Sequence, residues 1–385
     1  MSTQRIPALE YIRGISMLGV IGIHTGAYSL SNPHVNIHLF GLLEIASRFS
    51  VPIFFFVSAF GLFLHQKDLT APLNYTAFMK KRLKTVGIPY LIWSLLYLVY
   101  ISVISHNLAV WSIPVLLKYL FFGLASYQLY FLVLLLWFYA LMPLWRILLR
   151  YILKNPLTNL LIALALQILF NYYSSYLLVP PPTGTLFHDL VDYRMNYWIA
   201  HYFFIFILGA VCALRFDSFK TILTYQRRYV TAFFAITLGA IMLYYYYLLF
   251  AKGYTPEEAV CTNHQLGPIG VLYSVSSTFF WFMIFSKEHW PAAISALLNS
   301  LGKHSYFIYL VHPFVMYCLS YYMNHAGYLF TAKATILFYL ATLLLSLLLS
   351  LFTQRLSTHL PWLGRLLTGS IPSPRVKKAP TTAIG

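Results

Sequence analysis

The sequence predicts an all-α fold, a polytopic transmembrane helix bundle of about ten spans with both termini cytoplasmic. Three observations carry this. Of 385 residues, 60% are hydrophobic and only 9% charged, whereas a soluble domain carries about 25% charged residues. The apolar residues fall into long runs of the ~20 residues that one helical crossing needs. The loops between the runs alternate in basic content, as cytoplasmic and outer loops do.

The ten runs are roughly 9–30, 39–64, 86–106, 128–147, 157–178, 197–215, 228–250, 268–286, 304–323 and 333–353. The first contains Arg13, exceeds a secretory h-region and lacks a small-residue cleavage site, so it reads as a retained span. Segment 107–127 reads as an interfacial amphipathic helix, with a re-entrant segment or an eleventh span as the competing reading. Residues 1–368 form one transmembrane domain. The tail 369–385, rich in Pro, Ser, Thr and Lys, reads as a disordered cytoplasmic segment.

Of the 26 Lys and Arg residues, twenty fall in the N-terminus, loops 65–85, 146–156, 215–228 and 287–303, and the C-terminus; four fall in the opposite set. Arg13 and Arg48 lie inside spans. The net charge of +17 is therefore mainly a topology signal, and a nucleic-acid partner is not expected. The three cysteines, Cys212, Cys261 and Cys318, are too scattered for a disulfide framework or a metal motif. The sequence has no HExxH, Walker loop or GxSxG, so no metal site is expected.

Ionisable residues at membrane depth are costly and tend to face the bundle interior. In the first span Arg13 and His24 are eleven residues apart. They share a face, about 16 Å apart along the axis at 1.5 Å per residue. Glu10 stands three residues before Arg13. In the second span Glu44 and Arg48, four apart, can pair; Ser58 continues that face, and Pro52 is expected to kink the helix. In the ninth, Ser305, Tyr309 and His312 share a face. Pro313 frees a carbonyl beside His312, which makes that histidine a candidate site wall. Lys80, Lys81, Arg82 and Lys84 crowd the mouth of the third span. Such a cluster suits phosphate and equally anionic lipid headgroups.

Four segments in this order resemble the integral-membrane acyltransferase-3 family: LEYIRGISMLGVIGIHTG, FSVPIFFFVSAFGLF, KKRLKTVGIPYLIWS and LGKHSYFIYLVHPFVM. The likeness extends to about residue 355. Two departures stand out. The family's second arginine before span 3 aligns with Thr85, leaving Arg82, with Lys84 as the compensating cation. Its Ser-Gly-Phe is here Ser58-Ala59-Phe60. A fused SGNH transferase domain, present in some members, is absent from this sequence, so transfer is expected to finish in the membrane domain or on a separate extracytoplasmic partner.

The resemblance implies an O-acyltransferase of the bacterial cytoplasmic membrane. It would move an acyl group, commonly acetyl, from cytoplasmic acyl-CoA to a hydroxyl of a surface glycan, lipid-linked sugar or similar acceptor, with no permanently bound cofactor. The donor's contacts would fall to Arg13, Arg82, Lys84, Ser58 and Tyr309. His24 would act as general base with Glu10 or Glu44 orienting it; His312 completes the catalytic set. Ser58 or Tyr309 would steady the oxyanion, and an acyl-histidine relay is the mechanistic variant. Membrane lipids are the remaining partner. The alternative from another class is a glycan or lipid-linked sugar transporter, suggested by proline-broken helices.

Overall fold

In the computed structural model, which describes residues 6–66, 68–287 and 290–369, the described residues form helices and connecting turns with no strand. The chain begins with α1 (Pro7–Ser29), then α2 (Ile37–Glu44) and α3 (Ser50–Phe63) on either side of a short break. Next come α4 (Tyr75–Arg82), which passes through a π-helical turn into α5 (Ile88–Ser105), and the short α6 (Ile113–Phe122). α7 (Tyr130–Ala140) and α8 (Met142–Ile152) meet at a 69° bend, and α9 (Pro156–Tyr172) ends in a second π turn. The small α10 (Leu186–Asp192) and α11 (Arg194–Tyr197) precede α12 (Phe203–Leu214), which bends by 98° into α13 (Phe216–Tyr225). The rest is α14 (Arg227–Phe250), α15 (Pro256–Thr262), α16 (Pro268–Phe285), α17 (Ala292–His325), α18 (Ala332–His359) and α19 (Pro361–Thr368).

Each of the ten apolar runs coincides with one of these helices or a bent pair. By length and composition, five helices can cross a membrane alone, and up to seven crossings result if each bent pair is one. The other three runs fall short for physical reasons. α3 is only 14 residues long, while α1 and α17 are long enough but carry ionisable and small polar residues. α6, with 10 residues, is about 15 Å long at 1.5 Å per residue, half the hydrocarbon thickness, which fits an interfacial segment better than a span. The expected disordered tail lies outside the described residues apart from Gly369.

Three prolines at or inside helices have different outcomes. Pro52 does not kink a continuous span, as its place in the second apolar run suggested. The chain breaks before it, and Pro52 stands in the first turn of α3, where a missing N–H costs nothing. Pro89 has no N–H to return to Thr85, and the helix absorbs this one turn earlier: Ile88 N–H reaches back five residues to the Leu83 carbonyl. The wider turn leaves the Thr85 backbone open to Gly369, where any Cβ would come within 2.3 Å of the Thr85 oxygen. Pro313 is carried inside α17, which stays a single helix of 34 residues.

α1 sits at the centre, packed against α2, α3, α16, α17 and α18. α1 and α17 run parallel. Tyr11 meets Ser295 through a 2.6 Å hydroxyl–hydroxyl hydrogen bond, Gly14 meets Leu298, and His24 meets His312. A Cβ on Gly14 would stand 2.5 Å from the Leu298 oxygen, and one on Gly302 would stand 2.0 Å from the Glu10 oxygen. Glycine on both helices thus lets backbone touch backbone, the packing that holds helices together in lipid, where burial of apolar surface offers little.

Candidate active site

The parallel packing of α1 on α17 brings His24 and His312 into register. Their rings stack at 5.3 Å between centroids with 23° between planes. Tyr127, just before α7, also packs against His24, at 4.3 Å and tilted by 44°, and its hydroxyl contacts the Met316 sulfur at 3.6 Å. His312 is fully buried. Its Nδ1 lies 3.0 Å from the Ile308 carbonyl, an acceptor only, so Nδ1 carries the proton. The lone pair therefore resides on Nε2, which is buried and has no partner among the described residues. His24 makes ring contacts but no hydrogen bond among the described residues.

A cavity of about 370 Å³ reaches as far as Tyr309, next to this pair, and neither histidine lines it. Glu10 and Arg13 on α1, Ser58 on α3, Tyr139 on α7, and Lys303 and Tyr309 on α17 contribute to its wall, as do Thr85, Ser305 and Tyr306. Arg13 pairs with Glu10 at 3.3 Å. The Ser58 and Tyr139 hydroxyls lie 3.3 Å apart. Arg82 stands over both the Tyr139 ring, at 5.0 Å, and the Phe78 ring, at 5.2 Å, so its cation sits directly behind the cavity wall. Tyr309 forms the link to the histidines: its ring faces His312 at 5.9 Å, and its hydroxyl donates to the Gln128 carbonyl. Gln128 itself is buried with neither side-chain polar atom satisfied among the described residues, a marker of room for a polar guest or water.

On the far side of His24, Glu44 packs against Gly26, where a Cβ would meet the Glu44 Cγ at 2.6 Å. Glu44 is 4% exposed and ion-paired with Arg48 at 3.0 Å. The pair survives even though α2 ends at Glu44, because Arg48 in the break also donates to Gln265 Oε1 at 3.2 Å. Gln265 in turn donates to the Tyr202 hydroxyl at 3.3 Å. His264, next to it in the loop before α16, stacks on Tyr176 at 5.6 Å. Burial, with the charges of Arg48 and His201 nearby, pushes it down to about 4. Its Nδ1 accepts from the Leu266 N–H at 3.1 Å, as a neutral ring can.

Of the nine residues singled out from the sequence, Glu10, Arg13, Ser58 and Tyr309 line one cavity, with Arg82 behind its wall. His24 and His312 stack next to Tyr309 without lining the cavity, and Glu44 packs against Gly26. Lys84 stays apart: it is exposed on the π turn, and Thr85 takes its place at the cavity. Two pairings considered from the sequence do not form. Glu10 is fourteen residues from His24, about 21 Å along the helix, and is engaged by Arg13, so it cannot orient that imidazole. Ser58 lies near the level of Arg13, because α3 passes Gly19 at Ser50 and shares the Arg13 cavity at Ser58, so it runs antiparallel to α1; an oxyanion contact beside His24 is out of its reach.

The sequence reading missed Tyr127, Tyr139, Lys303 and Tyr306 in these roles. Lys303 was legible as part of the GKHS segment, but the tyrosines are three among 32, with nothing local to mark them. Among the described residues, no cluster of His, Cys, Asp and Glu could hold a metal ion.

A family model described as an acyltransferase domain, Acyl_transf_3, matches residues 6–355. No curated protein and no solved structure matches the chain.

Proposed function

The chain belongs to the acyltransferase-3 family, and on that premise we propose that it moves an acyl group, acetyl in the simplest case, from acyl-CoA to a hydroxyl of a cell-surface glycan, lipid-linked sugar or similar acceptor. It does so in the bacterial cytoplasmic membrane with both termini inside. The observation that supports this reading is the stacked pair His24–His312 next to Tyr309, whose ring belongs to the wall of a cavity that Arg13 also lines.

Arg13 and Arg82 supply cations for the donor's phosphates, in the bidentate geometry that guanidinium groups favour. The thioester then reaches up the cavity toward Tyr309. The acceptor hydroxyl approaches His24, which takes its proton as the oxygen attacks the thioester carbonyl. The tetrahedral intermediate collapses by breaking the C–S bond, and the thiolate leaves as coenzyme A with the proton that His24 returns. His312 acts as a positioning residue: its ring, fixed by the Ile308 carbonyl, holds the His24 imidazole by stacking. Glu44, next to the same turn of α1, with Arg48 sets the polarity around it.

The experiment is transfer of label from radioactive acetyl-CoA by purified protein in lipid nanodiscs, with a panel of hydroxyl acceptors and with water as the default acceptor. Label leaving coenzyme A in the wild type and not in His24→Ala supports the reading. Failure to consume any acyl-CoA overturns it.

A further inference from the structure

A second cavity, of about 560 Å³, adjoins the first. It lies between α17, α18 and α19, and its wall includes Asn299, Lys303 and His304 from α17 and Ser350, Gln354 and Ser357 from α18. Lys303 and Tyr306 line both cavities, so a single turn of α17 is what divides them. The polar groups of α18 are out of keeping with that helix, which has the highest mean hydropathy, 2.3, of the helices able to cross alone. At positions 350, 354 and 357 they follow helical spacing and mark one face. His304 Nδ1 and Ser350 Oγ share a 2.8 Å hydrogen bond across the α17–α18 seam, which fixes the wall.

The lining chooses among ligands. An acyl chain would want an apolar tunnel, and a multiply charged headgroup would want several cations. Here neutral amides and hydroxyls surround one lysine, the composition suited to the edges of a nucleobase and a ribose with a phosphate at the lysine. From this we infer that the second cavity binds the nucleotide end of the acyl-CoA donor. The diphosphate crosses at Lys303, which faces Arg13 across the first cavity, and the pantetheine arm continues toward Tyr309. From Lys303 to His312 α17 rises about 13.5 Å over nine residues, the interval left for that arm. The inference rests on the acyl-CoA reading given above and adds where the donor is recognised.

The test compares acetyl-CoA with acetyl-pantetheine, which carries the same thioester without the nucleotide, in the wild type and in the double variant Asn299→Leu/Gln354→Leu. Adenosine 3′,5′-bisphosphate serves as the competitor. In the wild type kcat/KM should favour acetyl-CoA by tenfold or more, and the bisphosphate should compete with it. In the variant the KM for acetyl-CoA should rise about tenfold, the preference should collapse toward one, and competition should vanish. A variant with the wild-type preference overturns the inference, as does an equal loss with both donors, which signals damaged packing. A wild type that uses both donors equally well overturns the nucleotide site while leaving acyl transfer from a thioester intact. A wild type that uses neither removes the donor reading itself, and the inference with it.

Discussion

His24 and His312, 288 positions apart in the sequence, stack ring to ring at 5.3 Å, with one nitrogen of the second ring committed to a backbone carbonyl. Two imidazoles that face each other inside a helix bundle, one of them held by a backbone carbonyl at Nδ1, suit the general base proposed above.

His24→Ala is expected to lower kcat by a factor of about 10² to 10⁴, the usual worth of a positioned general base, with donor KM little changed. Added imidazole should restore part of the rate, which a merely structural role would not allow. Stopped-time assays of acetyl-CoA consumption with and without imidazole decide the point.

Arg82→Ala should raise donor KM more than it lowers kcat. Arg82→Lys should rescue little, because the planar guanidinium stacks on Phe78 and Tyr139 and an ammonium keeps the charge without the plane. The measurement is the pair of KM values. A lysine variant with wild-type KM would reduce Arg82 to a point charge.

Gly302→Ala should destabilise the protein by about 1–3 kcal/mol, the usual cost of forcing extra volume into a packed contact. The new methyl would meet the Glu10 carbonyl 2.0 Å away, and that backbone cannot yield without moving α1. Thermal unfolding in nanodiscs reads the loss. Activity should fall with it, because the same displacement parts His24 from His312.

His264 gives a pH dependence with a definite sign. Its folded value is depressed to about 4 by burial, against roughly 6.5 in an unfolded chain. The unfolded state therefore binds the proton first as pH falls. The neutral ring's contribution is complete above about 6.5 and is lost as pH drops toward 4, at up to about 1.4 kcal/mol per pH unit. His264→Gln should flatten this part of the curve. The check is the melting temperature of both proteins between pH 7 and pH 4.5.

Much of this arrangement is written in local spacing. The eleven residues from Arg13 to His24 put both on one face of α1, and the proline after His312 marks the histidine that turns inward. Where regular spacing fails, the reading fails with it. At the π turn Leu83–Gly87 charge marks Lys84 as the candidate, but charge does not fix direction, and Thr85 is the residue that lines the cavity. The break before Pro52 likewise looks on paper like a kink. Tyr139 and Tyr306 meet at one cavity only because α7 and α17, far apart in the chain, both supply its wall. No local pattern encodes that encounter.

The parallel seam between α1 and α17 also has a consequence for biosynthesis. One half of the histidine pair leaves the ribosome among the first thirty residues, and the other waits until most of the chain has been made. A stalled or prematurely terminated product carries one imidazole and no partner. On the reading proposed above, acyl transfer at full rate would therefore wait for the completed chain, which alone has the second ring beside His24.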